Sequence, residues 1–356
     1  MTVAFYAPLK SPNHPVPSGD RAMAAALMAA LVHADVSVHL ASELRLLDKH
    51  GDRAKQDALA LEAQVEVARL VACPEAKNWQ AWVTYHNYYK APDLIGPAVS
   101  QALGIPYLQV ESTRARKRLV GPWAAFAAAA EAASDAAHTI LYFTHRDAET
   151  LRRDAPTGQS LVHLPPFLSR EELPPQSPLN GKMLSVGMMR HGDKLASYQL
   201  IADTLAVLPS GLDWSLAIVG DGPARARVEQ MMAPEQDRVS FLGARPPEAL
   251  AGIYAQSSLF FWPGVNEAFG VVYLEAQAAG LPVVAQDRPG VRDVVHGQHP
   301  RPHEGPDAMA HTIVNLLSDP PLRQKMGADA RAMVGAHHLL GPAARTLAAA
   351  LVEVRT

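Results

Sequence analysis

Short apolar runs alternate with longer alanine-rich stretches along the whole chain. Val3–Ala7, Val36–Ala41, Ala81–Tyr85, Tyr107–Val110, Thr139–Phe143 and Leu161–Leu164 read as brief, buried strands. Between them, Asp20–His33 (with Ser18 as N-cap), Lys55–Leu70, Pro92–Leu103, Trp123–Ser134 and Arg146–Arg153 read as helices. Continuously apolar strands separated by helices predict parallel α/β architecture. Five prolines then fall within fourteen residues, from Pro165-Pro166 through Pro174-Pro175 to Pro178, and predict a hinge or linker. The alternation restarts after it. Met183–Gly187, Trp214–Val219, Val239–Leu242, Leu259–Trp262 and Pro282–Ala285 read as strands, with helices at Ala196–Leu208, Ala224–Met232, Pro247–Ala255 and Gly270–Ala279. The tail reads as helical over Asp307–Leu317, Pro320–Val334 and Pro342–Val354.

Composition narrows the function. A chain of 356 residues suits two domains, and 48% apolar content fills two cores. The net charge of −3 gives no global attraction to nucleic acid, so none is expected as a partner. A single cysteine, Cys73, excludes an intramolecular disulfide and any cysteine-based metal cluster. Met1–Ala7 reads as a strand with no basic region or cleavage pattern ahead of it. The longest apolar stretch, Leu119–Ala130, is interrupted by Gly121-Pro122 and is short for a membrane span. A cytoplasmic protein is expected, with peripheral contact at the inner face of the membrane left open.

The chemistry concentrates between Pro263 and Val295. A strand ends at Phe261-Trp262, a loop carries Glu267, and a helix opens near Gly270 with Glu275 inside it. The first N–H groups of such a helix lack intrahelical partners and carry the positive end of its dipole. That end suits phosphate or polarised hydroxyls. One carboxylate at the mouth and one deeper can each accept hydroxyl hydrogen bonds from an elongated ligand, or can simply complement the dipole.

Glu267 and Glu275, with seven residues between them including Phe269-Gly270, and Ala279-Gly280-Leu281-Pro282-Val283-Val284 after them, resemble the signature of retaining glycosyltransferase family 4 (glycosyl transferases group 1). Further blocks occur in the family's order. Leu184–Gly187 with Met189-Arg190 and Lys194 resembles its diphosphate clamp, Leu216–Pro223 its glycine-rich turn, and Val239–Gly243 the strand and loop bordering the base. The resemblance covers residues 183–295; the first half matches only in layout. It implies an α/β GT-B fold, two Rossmann-like domains facing across an interdomain cleft. An acceptor-side domain over 1–170 and a donor domain over 171–340 are expected, with helix 342–354 packing back onto the first. It further implies transfer of a hexose from a nucleotide-diphosphate sugar to an acceptor hydroxyl, lipid or saccharide, with retained configuration and no cofactor. Arg190 and Lys194 would hold the diphosphate, and Glu267, with the backbone of Phe269, Gly270 and Val271, the transferred sugar. Glu275 would hold the ribose. No Asp-x-Asp pair occurs in the chain, which agrees with metal-independent chemistry.

The first half departs from the family. Related enzymes often carry a glycine pair after the first strand; here Pro15-Val16-Pro17-Ser18-Gly19 leaves Gly19 alone to allow a close backbone approach to the donor. In this family the leaving diphosphate can itself take the acceptor proton, so no dedicated base is required. His86, after the third strand, and Glu111, after the fourth where many relatives have histidine, are the candidates for touching the reacting centre or the acceptor. Arg114, Arg116, Lys117, Arg118 and Trp123 form the one basic cluster with aromatic neighbours and predict either a solvated loop or an anionic membrane surface. His145, His191, His337 and His338 read as surface histidines. A GT-B-like nucleotide-sugar epimerase and a non-catalytic nucleotide-sugar-binding subunit are the alternatives.

Overall fold

The computed structural model describes residues 1–16 and 18–354; Pro17 of the loop before Gly19 lies outside the described residues, as do Arg355 and Thr356. The chain divides into two compact units, Met1–Pro165 joined by the segment from Leu340 onward, and Pro166–Leu339.

The first unit runs β1 (Thr2–Tyr6), α1 (Gly19–His33), β2 (Ser37–Ser42), α2 (Arg53–Ala72), β3 (Ala81–Asn87), α3 (Gly96–Leu103), β4 (Tyr107–Ser112), α4 (Ala124–Ala136), β5 (Thr139–Tyr142), α5 (His145–Asp154) and β6 (Ser160–His163). Its sheet has the order β2-β1-β3-β4-β5-β6, with every pair parallel. The inner strands β1, β3, β4 and β5 are buried on both faces, as a parallel sheet under helices requires, while the edge strands β2 and β6 are partly exposed. Helix starts are chemically marked. Ser18 Oγ accepts from Arg21 N at 3.2 Å, and Thr144 Oγ1 from Asp147 N at 3.2 Å. α3 begins at Gly96 rather than Pro92. Asp93, buried, accepts from the N–H groups of Ile95 and Gly96 at 3.0 and 2.8 Å and from the Tyr107 hydroxyl at 2.7 Å. Those bonds hold the preceding residues in a turn.

The second unit continues with β7 (Met183–Val186), α6 (Asp193–Ala206), β8 (Leu216–Val219), α7 (Arg225–Met232), β9 (Val239–Gly243), α8 (Pro247–Tyr254), β10 (Leu259–Phe261), α9 (Val271–Ala278), β11 (Val283–Val284), α10 (Gly305–Ser318) and α11 (Pro320–His337). Its five strands are parallel in the order β11-β10-β7-β8-β9. Leu184, Ile218, Phe260 and Phe261 fill the core with Tyr198 and Trp262. His338 is buried, against the surface position expected for it. Its Nδ1 lies 2.6 Å from the Pro166 carbonyl and its own carbonyl accepts from Leu168 N at 2.8 Å, tying down the start of the proline-rich segment. The last helix, α12 (Leu340–Glu353), belongs to the first unit and packs on α1.

Candidate functional site

In the second unit the loop after β10 is built around Trp262. The indole is fully buried, and Tyr273 donates its hydroxyl to the Trp262 carbonyl at 3.0 Å. Gly187, at the end of β7, leaves the space the ring occupies; a Cβ there would stand 2.6 Å from it. Trp262 Nε1 donates to Glu267 Oε1 at 3.0 Å. Lys194 Nζ pairs with the same oxygen and sits 5.3 Å from the Trp262 ring centroid. A lysine in the first turn of α6 opposes the helix dipole, and the carboxylate offsets that cost. The glutamate loop is clipped to α6 as well. Asn266 Nδ2 donates to Asp193 Oδ1 at 2.9 Å, and Val265 N to Ser197 Oγ at 3.0 Å. Gly270 supplies the left-handed turn (φ 73°) that starts α9, and the first N–H groups of that helix, including that of Val271, receive no side-chain cap. Phe269, just before them, is half-buried.

Arg190 is exposed and makes no ion pair among the described residues. Its loop is held by the glycine-rich turn: Met189 N donates to the Asp221 carbonyl, and Ala224 N to the Met189 carbonyl, each at 2.9 Å. Glu275, on α9, accepts from the Tyr254 hydroxyl at 3.0 Å, and burial pushes its carboxyl above the usual range. A Cβ on Gly19 would meet nothing within 4 Å, so the space beside that helix start is open.

In the first unit, the next-to-last residues of β3 and β4 lie in the left-handed region, His86 at φ 65° and Glu111 at φ 57°. This backbone is rare for side chains of that size, and paired strain at two adjacent strand ends makes them a candidate site. His86 Nδ1 lies 3.2 Å from Asp20 Oδ1 and 3.8 Å from Glu111 Oε2. Glu111 Oε2 is buried without a hydrogen-bond partner. Burial alone pulls the imidazole down, but the Glu111 and Asp20 carboxylates outweigh it and hold the ring above 6.5. Burial pushes Glu111 up, and the contact with His86 holds Asp20 down. Asp147, at the start of α5, adds its negative field to both His86 and Glu111. The raised histidine therefore stabilises the fold fully below pH 6.5, and that contribution fades as pH rises through the folded-state value. Glu111→Gln is expected to lower the His86 titration midpoint, since the charge that raises it most is removed. A ¹H–¹³C NMR titration of the ring checks this, and an unmoved midpoint would overturn the coupling.

The basic cluster is not one surface. Arg114 is buried, its side chain only 1% exposed, and pairs with Glu131 at 3.0 Å and Asp135 at 2.6 Å on α4. It braces the loop after β4 and is withdrawn as a membrane contact. Arg116 reaches Asp154 at 3.4 Å, and Lys117 is exposed. Arg118 and Trp123 instead pack beside Tyr89. Asp20, Trp262 and Tyr254 are site residues the sequence reading did not single out. Asp20 stands next to Gly19 and reads as an ordinary first-turn acid. Trp262 stands at a strand end directly before the glutamate loop, which was the available signal.

Residues 181–319, which hold this glutamate–lysine–tryptophan cluster, match the family described as glycosyl transferases group 1. The family's pattern thus lies within the second unit. Over 291 residues it is 26% identical to the alpha-D-kanosaminyltransferase of Streptomyces kanamyceticus, covering 76% of this chain and 74% of that one. It is 33% identical over 171 residues to the GDP-mannose-dependent alpha-mannosyltransferase of Mycobacterium tuberculosis, covering 46% of this chain and 40% of the relative. The sucrose-phosphate synthase structure from Thermosynechococcus elongatus superposes with a TM-score of 0.73 at 19% identity, over 99% of both chains. The fold is thus GT-B, and the protein is a glycosyltransferase that draws its sugar from a nucleotide sugar. No helix among the described residues is long and apolar enough to cross a membrane.

Proposed function

We propose that this glycosyltransferase moves a hexose from a nucleotide-diphosphate sugar to an acceptor hydroxyl, with retained anomeric configuration and without a metal ion. The observation that carries the reading is Lys194 and Glu267 locked together on Trp262 beside the uncapped start of α9. Lys194 and Arg190 supply positive charge for the departing diphosphate, one as a point charge and one as a planar fork. Preorganised charge of this kind acts where negative charge develops. Glu267 and the N–H groups from Phe269 to Val271 hold the sugar hydroxyls, and Glu275 the ribose. The likeness to the kanosaminyl- and mannosyltransferases supports a hexose.

The first unit takes the acceptor in this reading. His86 and Glu111 meet its hydroxyl, Asp20 orients His86, and Gly19 leaves room for the donor phosphate at the start of α1. When the acceptor is a lipid or cell-envelope glycan, Arg116 and Lys117, with exposed Leu119 and Val120 beside them, face the anionic membrane surface.

The test is a donor screen with UDP- and GDP-hexoses in the presence of EDTA, read by nucleotide release and by NMR of the product anomer. Turnover that survives the chelator and keeps the anomeric configuration is expected. Activity abolished by EDTA and restored by magnesium would sink the metal-free reading, and a sugar isomer formed from donor alone would make the enzyme an epimerase.

A further inference from the structure

The ends of β3 and β4 carry a second cluster that the donor chemistry does not use. Tyr89 and Trp123 meet edge to face, with ring centroids 5.8 Å apart. Lys90 Nζ lies 5.7 Å from the Tyr89 centroid and 5.3 Å from that of Trp123. Arg118 Cζ lies 5.1 and 5.6 Å from the same two. Two cations therefore share one pair of rings, and among the described residues neither makes an ion pair. Arg118 Nε is buried without a hydrogen-bond partner.

Asp48, whose backbone is bonded to both loops, has its carboxylate already committed. Asp48 donates its backbone N–H to the Lys90 carbonyl at 2.9 Å, and its own carbonyl accepts from Trp123 Nε1 at 3.3 Å. Its carboxylate takes the N–H groups of His50 and Asp52, each at 2.9 Å, and Gln56 Nε2 at 2.8 Å. Asp48 thus fixes the backbone at Lys90 and the Trp123 indole while leaving both cations unneutralised. Gln56 also holds the Pro122 carbonyl at 2.9 Å, which keeps the tryptophan loop in place.

Ring faces offset only part of the repulsion between two half-buried cations. A dianion between them would remove it, with the guanidinium fork and the ammonium as complementary donors. The location matches ligand sites at the carboxyl ends of parallel strands. The cluster also connects to the strained strand ends through consecutive ring contacts: His86 to Tyr88 at 4.9 Å, Tyr88 to Tyr89 at 5.6 Å, then Trp123.

We propose that Lys90 and Arg118 bind a phosphoryl group carried by the acceptor, while the acceptor hydroxyl reaches His86 and Glu111. This rests on the assignment of the acceptor to the first unit, and it narrows the acceptor to a phosphorylated molecule. The phosphoryl group belongs either to a soluble sugar phosphate or to a phospholipid headgroup.

Lysine acetylation footprinting of the wild-type chain, read by mass spectrometry, tests it without relying on any variant's folding. UDP and GDP are added first, and Lys194 is followed as the donor-site reporter. Glucose 6-phosphate or phosphatidylglycerol vesicles are then added. At ten times its Kd either probe should slow Lys90 acetylation about tenfold. Protection by glucose 6-phosphate alone assigns a soluble acceptor, and protection by vesicles alone a lipid one; both support the site. Arg118→Gln is expected to abolish the Lys90 protection and Arg118→Lys to restore part of it. Unprotected Lys90 with both probes, while a nucleotide diphosphate protects Lys194, would overturn this site alone. Unprotected Lys194 with both nucleotides would instead overturn the donor assignment beneath it.

Discussion

Lys194→Ala is expected to lower kcat/KM by about 10²–10³-fold, the loss of about 3–4 kcal/mol that accompanies removal of one preorganised electrostatic donor. Lys194 is the cation that touches both Glu267 and the Trp262 ring. Its removal takes positive charge from the leaving diphosphate and leaves Glu267 Oε1 with the Trp262 N–H as its remaining bond. Lys194→Arg should recover only part of the activity, because a broad fork does not reproduce a compact charge over a fixed ring. The Lys194→Ala and Glu267→Gln effects should also fall well short of additive, since the two side chains pair directly with each other. Steady-state kinetics on the two single variants and the double variant make the measurement. A Lys194→Ala enzyme within a few-fold of wild type would end the clamp assignment.

A large stability effect is expected for Gly220→Ala. Its φ of 145° lies where side chains are strained, and a Cβ would stand 1.9 Å from the Gly187 carbonyl oxygen. That carbonyl cannot move freely, because it accepts the Tyr198 hydroxyl at 2.7 Å. Backbone strain and overpacking together should cost about 3–5 kcal/mol. For a unit of this size the midpoint of thermal unfolding should fall by roughly 6–20 °C. Gly252, inside α8, is the control. A Cβ there meets nothing within 4 Å, so Gly252→Ala should stabilise by about 0.5–1 kcal/mol. Calorimetry that found the two substitutions alike would show that the interlock between the β7 and β8 loops has no energetic weight.

The strands were legible in the sequence because fully buried parallel strands are continuous apolar runs, and apolarity needs no partner to be recognised. The strand end at Trp262, the loop with Glu267 and the helix with Glu275 were legible because their spacing is local. What escaped depended on residues distant in sequence. The start of α3 was placed too early because the turn around Asp93 is completed by Thr84 and Tyr107, which belong to other strands. Arg114 read as part of an exposed basic run because its partners, Glu131 and Asp135, come from the following helix. His86 and Glu111 could be picked out as strand-end residues. Their left-handed backbone and their shared neighbour Asp20 could not, since neither leaves a mark on composition or periodicity.

The final helix has a consequence for how the protein is made. α12 lies on α1, and its Ala344, Leu347 and Leu351 are buried, as are Leu27 and Leu31 of α1. Of the two units, the one translated earlier is therefore completed later. While the whole of Pro166–Leu339 is being translated, α1 waits without its partner helix. Nascent chains stalled before Leu340 would carry a completed second unit behind an unfinished first one. Chain order and folding order are thus inverted, and the first unit holds together by its own sheet until α12 has been translated.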